Sequence, residues 1–187
     1  MNTRISSLTQ LSASQLVVID MQEKLGLAMQ PEAFELVTHN IQRLLQAAQL
    51  LALPVIITEQ YAKGLGNTLA ALQPFCAQAA TIDKMTFSAC ATPKFNQQLH
   101  RDLPQVILTG METHICVLQT ALDLLAHHKQ VFVVEDAVIS REPANKANAL
   151  ARLRDAGCLI TNTESVLFEC LGSAEHAQFK AIAKLIK

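Results

Sequence analysis

The sequence predicts a single α/β domain built as a doubly wound, mostly parallel sheet with helices on both faces. Three observations carry this. Short apolar runs rich in β-branched residues recur along the chain, apolar throughout rather than alternating, as strands covered on both faces are. Longer stretches with helical spacing separate them, and strand–helix alternation is the mark of parallel winding. No repeat, low-complexity tract or linker divides the 187 residues, a length at which folding buries roughly 70% of the unfolded surface.

The elements follow in order. Residues 1–13 read as an N-terminal extension, with no apolar run long enough for a signal peptide. The run QLVVI over 15–19 is a buried strand that ends at Asp20. Leu36, Val37, Ile41, Leu44, Leu45, Ala48 and Leu51 line one face of a helix over 33–53, which Pro54 stops. PVIIT over 54–58 is the second strand. Residues 60–81 are mixed, with a loop at Gly64 and Gly66, and Lys84 follows in a weakly strand-like stretch. Thr92 and Pro93 look like an N-cap and first helical position of a helix to about Arg101. Strands are expected over 105–109, 130–134 and 158–161, and helices from Thr113 onward, over 143–156 and over 173–186. The arrangement is Rossmann-like.

Composition narrows the function classes. Half of the residues are hydrophobic and 17% charged, so the chain is not disordered. Fifteen basic residues against sixteen acidic ones give a net charge of −1 with no like-charge block, which offers no electrostatic footing for nucleic acid or an anionic membrane. No stretch reaches the ~18 apolar residues of a membrane helix. Five cysteines, an odd number without a CxxC pair, suit free thiols in a reducing cytoplasm.

In an open parallel sheet, ligands bind beyond the C-terminal strand ends where the strand order reverses. Two strand ends stand out, Asp20 with Met21-Gln22-Glu23, and the segment from Gly110 through Met111, Glu112, Thr113, His114 and Ile115 to Cys116. Asp20 has a second reading, as the cap of the next helix. Cys76, Cys90, Cys158 and Cys170 read as small core residues. Cys116 differs, because a first-turn position behind a strand favours thiolate and lowers a thiol pKa. Lys84 is either a site residue or a surface lysine. His114 is two residues from Cys116 and points elsewhere, so a local Cys–His pair is rejected. His39, His100, His127, His128 and His176 form no HxH or HxxxH pair, which argues against a metal. There is no GxSxG elbow and no phosphate-binding glycine loop.

These residues resemble the isochorismatase-like cysteine hydrolases. The likeness rests on Leu16-Val17-Val18-Ile19-Asp20-Met21-Gln22, on Asp83-Lys84-Met85-Thr86-Phe87-Ser88, and on Gly110-Met111-Glu112-Thr113-His114-Ile115-Cys116-Val117. Within the family the chain is most similar to the isochorismatase domain-containing proteins, through 58–66, 116–124 and 164–169. The resemblance implies a catalytic triad of Asp20, Lys84 and Cys116. Asp20 would be the general base, Lys84 the cation that supports carboxylate and thiolate, and Cys116 the nucleophile forming a thioester. It also implies a cis peptide between Met111 and Glu112, and an oxyanion hole of backbone N–H groups from Met111 to Cys116. Nicotinamidases of this fold carry an aspartate and two histidines after the second strand. Here Thr58-Glu59-Gln60-Tyr61 stands there, with no histidine before His100, so neither a metal nor nicotinamide is expected. True isochorismatases lack the cysteine, so its presence favours carbonyl chemistry.

The expected function is therefore a cytoplasmic, cofactor-free hydrolase of a small amide, ureide or related C–N bond. An ester or vinyl-ether hydrolase and a non-catalytic binding protein are the alternatives. A redox sensor lacks a nearby resolving cysteine. Gln22, Glu59, Gln60, Tyr61 and Phe87 are candidate pocket residues, with the loop at 139–141. A mean hydropathy of +0.24 and an almost wholly apolar stretch over 115–126 point to a homo-oligomer, a dimer or a multiple of it.

Overall fold

The structure, a computed structural model, describes residues 7–186. Six strands form one sheet: β1 (Ser14–Ile19), β2 (Val55–Gln60), β3 (Ala80–Lys84), β4 (Gln105–Met111), β5 (Gln130–Ile139) and β6 (Leu159–Thr161). The helices are α1 (Glu23–Gly26), α2 (Pro31–Leu51), α3 (Ala62–Leu65), α4 (Pro93–Gln98), α5 (Leu118–Ala126), α6 (Pro143–Asp155), α7 (Thr163–Leu171) and α8 (Phe179–Ile186). Strand order is β3-β2-β1-β4-β5-β6, and all five pairings are parallel. The chain winds outward from β1 to β3, then crosses back to place β4 on the other side of β1. The order therefore reverses between β1 and β4.

Burial explains the unbroken apolar runs. Every residue of β1 and β4 is buried. Leu16 and Val18 face a core closed by α2, α7 and α8, while Val17 and Ile19 face one closed by α4, α5 and α6. Two buried faces need no polar alternation. Gly110 pairs with Ile19, where a side chain would come within 2.0 Å of the Ile19 carbonyl oxygen. Its φ of +110° also lies where only glycine sits comfortably. The absence of a side chain lets β4 press against β1 directly below the strand ends.

Several elements differ from the sequence reading. The sheet is wholly parallel rather than mostly so. The weak stretch before Lys84 is β3, an edge strand whose mixed burial accounts for its weak pattern. β5 runs on to Ile139 instead of stopping at Val134, because a register shift against β4 carries it past Glu135 and Asp136. Helix α7 was not expected from periodicity; Asn162 caps it by accepting from the Ser165 N–H at 2.9 Å. The last helix begins at Phe179, not Ser173. Of the N-terminal extension, residues 1–6 lie outside the described residues. Thr9 is held against α7, its N–H and hydroxyl both donating to Glu169 Oε2 at 2.7 and 2.8 Å.

Candidate active site

Asp20 follows a fully buried strand and is itself 0% exposed. Its φ of 49° is left-handed, a region that aspartate tolerates better than most residues. That bend turns the carboxylate away from α1, which it does not cap. Oδ1 accepts from the Thr58 hydroxyl at 2.6 Å, and Oδ2 accepts from Lys84 Nζ at 2.7 Å. The Asp20 N–H is tied to the Thr58 carbonyl at 3.0 Å. Thr58 thus holds both the backbone and the carboxylate of Asp20.

Lys84 ends β3 with a side chain 0% exposed, which rules out the surface reading. Besides Asp20, its Nζ donates to Gln60 Oε1 at 2.7 Å and to the carbonyls of Thr86 and Phe87, each at 3.2 Å. Four acceptors share three protons, so the charge is pinned in place. A buried ammonium is stable only when so partnered.

Cys116 lies in a π-helical turn, Thr113–Val117, that precedes α5. It is 7% exposed, and the Asp20 carboxylate and the Lys84 ammonium both act on its thiol. The three residues of the motifs therefore converge at the ends of β1, β3 and β4, beside the point where strand order reverses. The thiol is not activated at rest as its helix position suggested. Burial first, then the Asp20 carboxylate, push its pKa up to about 12, and Lys84 offsets only part of this. At rest the buried sulfur is a thiol rather than a thiolate.

The peptide bond between Met111 and Glu112 is cis. The Glu112 carbonyl accepts from the N–H groups of Ile115 and Val117 at 3.0 and 3.2 Å. Its carboxylate receives the Arg141 Nε at 3.0 Å and the Arg141 N–H at 3.1 Å. The His114 ring meets the Ser140 hydroxyl at 3.0 Å. The end of β5 thus braces the loop that carries Cys116.

The five candidate pocket residues divide into three groups. Gln60 touches the trio through Lys84. Tyr61 and Phe87 are 45% and 54% exposed, in the loops after β2 and β3. Gln22 and Glu59 are buried struts rather than pocket walls. The Gln22 amide bridges the Gln60 N–H and the carbonyls of Gln60 and Gly66, and Glu59 Oε1 accepts from the N–H and hydroxyl of Thr68. Thr58 and Arg141 were not anticipated as site-positioning side chains. Only the strand register, with Thr58 opposite Ile19, brings the Thr58 hydroxyl to Asp20. Among the described residues, no group of three His, Cys, Asp or Glu side chains is placed to hold a metal ion.

A family model for the isochorismatase domain matches residues 14–165. The chain belongs to the isochorismatase family. The secreted isochorismatase effector Isc1 of Phytophthora sojae is 41% identical over 94% of this chain and 85% of its own length. Isochorismatase domain-containing protein 2 of Xenopus laevis is 41% identical, over 93% and 83% respectively. Among solved structures, the MAR1 ribonuclease of Caenorhabditis elegans superposes with a TM-score of 0.90 at 37% identity, covering 96% of this chain and 92% of that one. This isochorismatase-family fold therefore carries a buried carboxylate–ammonium–thiol cluster where open α/β sheets bind their ligands.

The buried thiols also set an alkaline limit on stability. Cys90, Cys116 and Cys158 are each pushed up to about 12 and Cys170 to about 11, chiefly by burial. Below the ordinary thiol value both states keep these protons, and stability is insensitive to them. Above about pH 9 the unfolded thiols ionise while the folded ones do not, so the unfolded state binds fewer protons and stability falls as pH rises. The urea midpoint is expected to drop between about pH 8 and about pH 10.5, and Cys158→Ala should flatten that slope. An unchanged slope in the variant would refute the assignment.

Proposed function

We propose that this protein is a cysteine hydrolase that cleaves a small amide, ureide or related C–N bond through a thioester, without a metal or cofactor. The observation that carries the reading is the buried Cys116 thiol placed within the electrostatic reach of a carboxylate that Lys84 and Thr58 already hold. On substrate binding, Asp20 takes the thiol proton as Sγ attacks the carbonyl carbon. Backbone N–H groups of the turn from Met111 to Cys116 receive the oxyanion. Asp20 then gives the proton to the departing nitrogen, the C–N bond breaks, and the thioester remains. Asp20 next deprotonates a water that attacks the thioester, releasing a carboxylic acid and restoring the thiol. A high resting thiol pKa suits this order, since the proton leaves only in step with attack.

The test is intact-mass spectrometry after incubation with a panel of small amides, ureides and esters, with and without a chelator. A substrate-derived adduct on Cys116, and turnover insensitive to chelation, is the expected result. Adducts from esters alone would move the assignment to ester hydrolysis, and binding without turnover would move it to a non-catalytic protein. Cleavage of RNA in the same panel would carry over the activity in the name of the C. elegans structure. A charge balance of 15 to 16 without a basic block speaks against that outcome.

Among the described residues, no helix is long and apolar enough to cross a membrane. Five free cysteines support a reducing, cytoplasmic setting; the word secreted in the Phytophthora relative's name describes that protein. The case for a homo-oligomer shifts to new residues. The stretch over 115–126 is largely covered within the chain, with Leu118, Ala121 and Leu124 buried and Leu122 and Leu125 packed on the core. Among the apolar side chains that remain exposed are Leu27 at 86%, Met85 at 70%, Leu36 at 66%, Leu8 at 57% and Phe87 at 54%. A second copy would remove such surface from water. Light scattering should report a multiple of 20.4 kDa; a monomer mass unchanged on concentration would overturn this.

A further inference from the structure

A cavity of about 340 Å³ opens between the first turns of α2 and α6 and the end of β5. It is separate from the catalytic trio. Its walls Val37 and Ile139 belong to the core on the α2 side of the sheet, whereas Cys116 belongs to the other, and none of Asp20, Lys84 and Cys116 lines it. The lining is largely apolar, with Ala33, Leu36, Val37, Ile139 and Pro143 among its residues, and Leu36 is exposed.

Most of the polar lining atoms already have partners. Asn40 Nδ2 donates to the Asp136 carbonyl at 2.8 Å, and its Oδ1 accepts from Arg43 at 2.8 Å. Asp136 Oδ1 accepts from the N–H and hydroxyl of Thr163, and the Ser140 hydroxyl meets His114. The exceptions are Gln30, which is exposed, and Lys146. Lys146 is the one that burial partly withdraws from water. It is half-buried at the cavity edge, and among the described residues no hydrogen bond holds its Nζ. Glu135 and Asp136 act on it through space, yet burial prevails and lowers the amine's pKa, as for an ammonium without an adequate counter-ion.

We propose that this cavity binds a small organic acid with an apolar body, its carboxylate meeting the Lys146 ammonium and its chain lying on Leu36, Val37, Ile139 and Pro143. The volume is at the lower end for ligand pockets, and one polar anchor in an apolar recess is their usual chemistry. The carboxylate supplies the hydrogen-bonding partner that the protein does not. The site adjoins the catalytic loop through Ser140 and His114 without sharing a reacting group, and its occupancy is independent of hydrolysis.

The test is titration of the whole protein with hexanoate, and with hexan-1-ol as the uncharged probe, followed by methyl NMR and calorimetry. Hexanoate should shift the methyl signals of Leu36, Val37 and Ile139 saturably and bind about tenfold more tightly than the alcohol. Lys146→Met should bring hexanoate down to the alcohol's affinity and leave the alcohol unchanged, while Lys146→Arg retains the preference. Equal affinity for the two probes, or for wild type and Lys146→Met, would overturn the proposal. So would shifts confined to the methyls of Ile115 and Val117, the neighbours of Cys116, which mean occupancy of the catalytic site. Dissociation of an oligomer by Leu36→Asp, with no titration of the Leu36 methyls in wild type, would assign the cavity to a second copy instead.

Discussion

Cys116→Ala is expected to abolish turnover, by about 10⁴-fold or more, while the protein stays folded. As the proposed nucleophile, Cys116 is the one group of the trio with no chemical substitute nearby. Asp20 and Lys84 keep each other, with Thr58 and Gln60 still in place, so the site survives as a charged pair without a sulfur. The structural cost is the loss of one small buried atom, comparable to other single-group core deletions at about 1 kcal/mol. Single-turnover kinetics on the substrate found by the mass-spectrometric panel, with a urea melt of the same preparation, separates the two effects. Wild-type turnover by the variant would exclude Cys116 as nucleophile.

The second large effect falls on stability. Lys84→Met should remove activity and also destabilise the fold by about 3–5 kcal/mol, because it leaves the Asp20 carboxylate buried without its counter-ion. Asp20→Asn should be milder. Asparagine accepts the left-handed backbone at this position, its amide can still meet Thr58, and Lys84 retains Gln60 and two carbonyls. Combining the two substitutions should cost less than the sum of the parts, since each removes the charge that the other strands. Denaturation of the three variants decides the matter; equal and additive losses would mean that the pair is not energetically coupled. Complete burial of the pair sets the size of these losses.

What could be read from the sequence follows from the range of each signal. Strands β1, β2, β4 and β5 announce themselves because two buried faces demand unbroken apolar runs. The edge strand β3 has one, and its pattern is correspondingly faint. Asp20, Lys84 and Cys116 were legible as a family pattern, and Asp20 and Cys116 also by their place at strand ends. Their chemistry at rest was not. The thiol's high pKa depends on how completely the chain encloses it and on a carboxylate from a distant segment, and local helix position indicates neither. Gln22 and Glu59 show the same limit from the other side. A polar residue beside a catalytic aspartate suggests substrate contact, whereas here loop carbonyls and N–H groups claim both side chains. Thr58 became visible only through register, since a hydroxyl at a strand end acquires meaning from the strand beside it.

The trio is drawn from both windings of the chain. Asp20 and Lys84 come from β1 and β3, Cys116 from the turn after β4, and the seam between β1 and β4 joins the two. Neither winding alone holds the Cys116 thiol together with the Asp20 carboxylate. Contacts so distant along the chain close late and slowly compared with local helix formation. Recovery of the Cys116–Asp20 contact during refolding is therefore a chemical clock for the closing of that central seam. Gly110 lies on that seam, paired with Ile19. A side chain there would strike the Ile19 carbonyl, so a single methyl group would bar the two halves from meeting while leaving Asp20, Lys84 and Cys116 in the sequence.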